Sequence, residues 1–179
     1  MNTSPSSHHV FVLMGVSGSG KSAVASAVAW QLKAAFLDGD FLHPRANIEK
    51  MAAGHPLNDE DRQPWLESIN DAAFAMQRTN AVSLIVCSAL KKRYRDILRK
   101  GNENLSFIYM KGDFDTIEAR LRARKGHFFK PQMLVTQFET LEAPGDDEPN
   151  VLVVDIAQSL DKVVAETIAT IDNVVNPGA

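Results

Sequence analysis

One cysteine in 179 residues, Cys87, leaves no internal disulfide to form, and a chain of this size needs none. A domain of this length buries about 70% of the surface its unfolded chain exposes, so the core can hold without staples or a structural metal. No apolar run approaches the roughly 20 residues of a membrane-crossing helix. The run from Val10 to Val16 flows directly into Gly and Ser, and the MNTSPSSHH before it lacks the basic region of a secretion signal. Neither sign of charge dominates. Nineteen Lys plus Arg against twenty-two Asp plus Glu leave a net −3, too little positive charge to coat nucleic acid phosphates. These absences predict one cytoplasmic domain over residues 1–179 that engages neither membrane nor nucleic acid, with any anion site local.

What the chain does have is a series of short β-branched runs alternating with segments of helical spacing, the pattern of an α/β protein with a parallel sheet. Strands are predicted at Val10 to Met14, Ala35 to Asp38, Ser83 to Cys87, Ser106 to Met110 and Val151 to Asp155. Their nearly unbroken apolar character suits strands covered on both faces, in a three-layer sandwich. Helices are predicted at Lys21 to Lys33, Arg45 to Ala53, Pro64 to Thr79, Lys91 to Arg99, Phe114 to Arg124, Pro131 to Leu141 and Leu160 to Asp172. Pro64 is expected in the first turn of its helix, which leaves Asn58 to Asp61 as a connecting loop. Trp65 on that helix reads as core. Flexible ends are expected over residues 1–8 and 173–179.

Immediately after the first strand stands Gly15-Val16-Ser17-Gly18-Ser19-Gly20-Lys21-Ser22, the GxxxxGKS pattern of a P-loop, with an apolar helix following at once. Glycines let successive N–H groups turn inward onto a phosphate, and the helix N-terminus adds partial positive charge. Lys21 is then placed to bridge the β- and γ-phosphates of ATP, and Ser22 to ligate Mg²⁺. A Gly-rich turn serving structure alone would need neither the lysine nor the hydroxyl.

Many P-loop proteins carry a metal-binding acid at the end of a neighbouring strand, yet SLIVC ends in Ser88-Ala89-Leu90. The acids stand instead at the second strand's end, Asp38-Gly39-Asp40. Asp40 is expected to orient or deprotonate an acceptor hydroxyl, with Asp38 near Mg²⁺ through water. Next come His43, Arg45 and Arg62, suited to a small polyhydroxy anion. Lys91 and Arg95, one helical turn apart, are expected to face the same anion. Arg120, Arg124 and His127 fall at i, i+4 and i+7, and Gly126 and Pro131 flank a segment read as a helical lid over about residues 120–136, whose arginines meet the phosphates.

The series GVSGSGKS, DGDFLHP, GHPLNDEDRQPWL, CSALKKRYRD, GHFF and QFETLE, in this order, closely resembles the bacterial gluconokinases from about Val10 to Asp172. The resemblance implies a P-loop kinase fold with sheet order 2-3-1-4-5 and a homodimer. It also implies phosphorylation of D-gluconate by ATP to 6-phospho-D-gluconate. It places Gly15 to Ser22 on ATP, Asp40, His43 and Arg45 near gluconate, and Arg120 with Arg124 in the lid. Two other readings stand beside it: a shikimate or nucleotide kinase, and a nucleotide-binding switch with no acceptor. ADP release that depends on an added sugar acid separates the three.

Overall fold

The computed structural model describes residues 8–126 and 130–178. Five strands, β1 (His9–Met14), β2 (Ala35–Asp38), β3 (Val82–Val86), β4 (Leu105–Lys111) and β5 (Val151–Asp155), form one parallel sheet in the order β2-β3-β1-β4-β5. β1 sits at the centre, Leu13 opposite Val86 on one side and Ile108 on the other. Alternation along β1 divides the core in two. Phe11 and Leu13 join Leu84, Val86, Ile108 and Met110 on one face, while Val10, Val12 and Met14 join Ile85, Phe107 and Tyr109 on the other.

Each face is covered by helices whose apolar stripes match it. α1 (Lys21–Leu32) and α7 (Leu160–Val175) lie on the first face through Val24, Val28, Val163 and Ile171. α3 (Asp59–Thr79) and α4 (Lys92–Arg99) cover the second through Trp65, Leu66, Ile69, Tyr94 and Leu98. Burying each large apolar side chain is worth roughly 1.5–3 kcal/mol, which makes the doubly covered sheet the rigid frame of the molecule. Between β2 and α3 lie a short 3₁₀ turn (Gly39–Leu42) and α2 (Arg45–Ala52). α5 (Phe114–Ala123) and α6 (Pro131–Thr140) form the segment expected as a lid.

The topology positions the site. β1 leads through α1 toward β2 at one edge, and β3 leads through α4 to β4 on the far side of β1. Adjacent strands whose connections diverge leave a crevice at their carboxyl ends, where open α/β sheets bind ligands.

Three boundaries differ from the sequence reading. α3 begins at Asp59 because Asn58 and Asp61 form a reciprocal capping box: the Asn58 side chain accepts the Asp61 N–H at 2.8 Å, and the Asp61 carboxylate accepts the Asn58 N–H at 2.9 Å. Pro64 therefore lies inside the helix, where it forgoes one backbone bond, and Asn58 to Asp61 is cap and first turn rather than loop. α5 stops at Ala123, so Arg124 is no longer on a helical stripe with Arg120, and His127 lies outside the described residues. α7 continues to Val175 because Val174 and Val175 pack on the core, which corrects the flexible end expected from residue 173. At the other end, His8 is tied to the Gln77 carbonyl at 2.7 Å.

Candidate active site

The loop from Gly15 to Gly20 leaves β1 at the crevice. Its curl needs glycine: Gly18 has φ +82°, and a Cβ there would come within 2.6 Å of Leu121 on α5. Lys21, the first residue of α1, folds back over the loop, its Nζ donating to the carbonyls of Gly15 at 2.8 Å and Val16 at 2.9 Å. Burial pushes its pKa down to about 8, against a raising influence from Cys87, Asp40 and Asp38. A half-buried ammonium whose hydrogen bonds go to neutral carbonyls is a site that an anion stabilises. The buried hydroxyl of Ser19, at the turn of the loop, has no hydrogen-bond partner, as is also true of Ser83 on β3.

Two cavities flank the loop. The first, about 300 Å³, brings together Ser17, Gly18, Gly20, Lys21 and Ser22 with Asp40, Ser88, Arg124 and Gln137. The second, about 240 Å³, is walled by Val24, Ile156, Leu160 and Val163 together with Gly18, Arg120 and Arg124. The polar cavity suits phosphates and a reacting hydroxyl, and the more apolar one suits a nucleoside. Arg124 borders both. Arg120 borders only the second, and its guanidinium holds the carbonyls of Ile156 and Gln158, the latter at 3.0 Å. The structure thus places Arg120 at the end of the site away from Lys21 and Asp40.

Asp38 closes β2 and Asp40 follows it in the 3₁₀ turn, at the strand's end as expected. The Asp38 carboxylate accepts the Asp40 N–H at 3.0 Å and so caps the 3₁₀ turn that carries Asp40 to the phosphate cavity. Gly39 between them passes so close to β3 that a Cβ would meet the Val86 carbonyl at 2.5 Å. Trp65 donates from Nε1 to the Gly39 carbonyl at 2.8 Å and stacks on His43 with ring centroids 4.1 Å apart. It is core, as predicted, and it also supports the acceptor loop. The buried Asn47 donates to the Asp61 carbonyl at 2.8 Å, and its second N–H faces His43 Nδ1 at 3.3 Å. That contact leaves Nδ1 as acceptor and Nε2–H as donor. Burial lowers the His43 pKa, with Arg62 adding to the effect and Asp40 opposing it, so the neutral ring is favoured.

The cations expected around the acceptor part company. Arg45 is exposed on the first turn of α2. Arg62 donates to the Leu57 carbonyl at 2.5 Å and lies 5.8 Å from the Tyr94 ring centre. Lys91 caps α4 and pairs with Asp59 at 3.1 Å, over the same ring at 5.6 Å. Asp59 also takes the Tyr94 hydroxyl and the Arg93 guanidinium. These bonds hold the Asp59 carboxyl below the usual range and raise the Lys91 pKa.

Arg95 corrects the expectation that it faces substrate. It is 0% exposed and ion-paired to Glu148 at 2.6 Å, and it also donates to the carbonyls of Ala89, Leu90 and Glu142. Because α4 starts at Lys92, Lys91 and Arg95 do not share a helical stripe, and Arg95 points into the protein.

Ser88 and Gln137 line the phosphate cavity although the sequence reading did not select them. Ser88 lies just past β3, at the carboxyl edge where open α/β sheets bind ligands. Cys87, also at this wall, is kept as a neutral thiol, with burial pushing its pKa up to about 12.

The adenylylsulphate kinase family model matches residues 7–152. Escherichia coli thermoresistant gluconokinase is 77% identical over 171 residues, 96% of this chain and 98% of that protein. Escherichia coli thermosensitive gluconokinase is 51% identical over 156 residues, 87% and 83% of the two chains. The crystal structure of a gluconokinase from Sinorhizobium meliloti 1021 matches with a TM-score of 0.83 at 40% identity, covering 95% of this chain and 94% of that one. With a phosphate loop, a nucleoside cavity and an acid-bearing acceptor wall on one sheet edge, and with identity of this extent, the chain belongs to the gluconokinase family of ATP-dependent small-molecule kinases.

Proposed function

We propose that the chain moves the γ-phosphoryl group of ATP to the terminal hydroxyl of D-gluconate, giving ADP and 6-phospho-D-gluconate. The observation that carries this reading is the single cavity on which the phosphate loop, Lys21, Ser22, Asp40 and Arg124 converge. There the acceptor oxygen attacks phosphorus as the bond to ADP breaks, and the Asp40 carboxylate receives the hydroxyl proton. Lys21 leaves the Gly15 and Val16 carbonyls for the phosphates, its charge restored by them. Arg124 balances charge that develops during transfer. Arg120 shapes the nucleoside end by fixing the backbone at Ile156 and Gln158. His43 presents Nε2–H to a substrate oxygen, while Arg45, Arg62 and Lys91 supply the positive charge a carboxylate requires.

The hard oxygens of Ser22 and Asp38 suit Mg²⁺, with Asp38 acting through water. When bound, that ion would neutralise charge on the phosphates. The same reading includes a homodimer working in the cytoplasm, and light scattering at twice 19.7 kDa is the result expected for the dimer.

A coupled assay of ADP release with gluconate, shikimate, AMP and adenylylsulphate as rival acceptors tests the substrate. Release with gluconate alone is expected; equal release with any of the others refutes the assignment.

A further inference from the structure

The side chain of Gln137 reaches the phosphate loop from a point 120 residues away. Its Oε1 accepts the N–H of Ser17 at 2.6 Å, and it borders the cavity that holds Lys21, Ser22, Asp40 and Arg124. Ser17 lines the cavity it shares with Lys21, Ser22, Asp40 and Arg124, where the proposed transfer occurs.

Gln137 is held there by its helix. Leu134, Phe138 and Leu141 pack into the core, so α6 cannot turn about its axis without exposing them. The end of α6 is tied to the segment that leads from β3 into α4. Glu142 donates its N–H to the Leu90 carbonyl at 2.9 Å, its carboxylate accepts the Lys92 N–H at 2.7 Å, and its carbonyl accepts from Arg95 at 2.9 Å. Gln137 therefore belongs to the anchored half of α6.

A carboxamide is two-sided, with an oxygen that accepts and an NH₂ that donates. Phosphate oxygens only accept, so they compete with Oε1 for Ser17 N–H and at the same time offer partners for the Gln137 NH₂. We infer that Gln137 contacts the transferring phosphoryl group: its amide turns over, releasing Ser17 N–H to a phosphate oxygen and donating its own N–H to the same group. Ser17 and Gln137 thus form a paired switch that distinguishes nucleoside triphosphate from diphosphate. The inference rests on the kinase reading above, and only on its nucleotide half.

Gln137→Glu and Gln137→Leu separate the two functions of the amide. The glutamate keeps an acceptor for Ser17 but loses the donor and adds negative charge; the leucine keeps bulk and loses both. Calorimetry with Mg²⁺ and either ADP or a non-hydrolysable ATP analogue is the readout, alongside kcat and KM for gluconate. Gln137→Glu is expected to weaken the analogue at least fivefold more than ADP, and Gln137→Leu to lower kcat at least tenfold with KM for gluconate within threefold. Equal weakening of both nucleotides in Gln137→Glu, no weakening of either, or a wild-type kcat in Gln137→Leu overturns the inference. If the wild type releases no ADP with gluconate, the acceptor assignment fails while the analogue-to-ADP ratio still judges Gln137.

Discussion

The phosphate loop and the segments that carry the proposed acceptor residues are built on opposite plans, and of those acceptor residues it is Asp40 that lines the phosphate cavity. The loop is eight consecutive residues whose proposed recognition groups are mainly backbone N–H, and its one charged side chain, Lys21, lies half-buried against neutral carbonyls with its pKa lowered to about 8. The wall is gathered from the 3₁₀ turn, α2, α3 and the start of α4, and Lys91 there is already matched to a carboxylate, with its pKa raised. A charge hydrogen-bonded to neutral groups gains more from an added anion than one already paired with a carboxylate, which gives shape and shares its attraction. Binding strength should therefore concentrate in the loop, and discrimination among acceptors in the wall.

The largest expected effect comes from removing the loop's charge. Lys21→Ala should lower turnover by roughly 10³-fold in a folded protein, because no other loop side chain can follow the migrating phosphoryl group. Near-normal turnover would erase the contrast between the two regions.

Arg95 breaks the comparison from the other side, as a cation once grouped with the wall that serves the fold alone. Arg95→Ala leaves Glu148 buried beside a single remaining cation, Arg99, and should cost about 3–5 kcal/mol, a fall of roughly 10 °C in Tm, with KM for gluconate unchanged. Thermal melts and steady-state kinetics on the same preparation check both halves. A raised KM without lost stability would return Arg95 to the substrate.

Arg124 and Arg120 sharpen the comparison within the nucleotide region. Arg124→Ala should reduce kcat more than tenfold, and Arg120→Ala should chiefly raise KM for ATP, since its guanidinium holds Ile156 and Gln158. Identical profiles for the two variants would remove the distinction between them.

The smallest effect is in pH. In the free site Lys21 loses its proton near pH 8, and bound phosphate favours the ammonium, so binding above that pH takes up a proton. Nucleotide affinity should be flat below pH 7 and fall about fourfold between pH 7 and 8.5. Calorimetry in buffers of different ionisation heat reads both the affinity and the proton. Affinity that rises over this range would contradict the assignment to Lys21.

Legibility in the sequence followed contiguity. The strands appear within a residue of their expected limits because unbroken apolar runs mark doubly covered strands locally, and the loop is visible because its chemistry is confined to Gly15 through Ser22. Asp38 and Asp40 were readable from their place after β2. The start of α3 was misplaced because Pro64 looked like a first-turn residue, while the capping box between Asn58 and Asp61 outweighed it. Arg95 could not be sorted from Lys91 because its fate depends on Glu148, 53 residues onward, and Gln137 carries no local mark of its partner Ser17. Side chains whose roles are set across the fold are those a linear reading assigns wrongly or passes over.

In the proposed reaction the site divides the labour, the loop gripping the triphosphate and Asp40 readying the alcohol. Asp40→Asn, examined by calorimetry with an ATP analogue and by single-turnover transfer to gluconate, tests it most directly. The account predicts a transfer rate lowered roughly 10²- to 10⁴-fold with analogue affinity within threefold of wild type. Parallel loss of affinity and rate, or transfer at the wild-type rate, would contradict it.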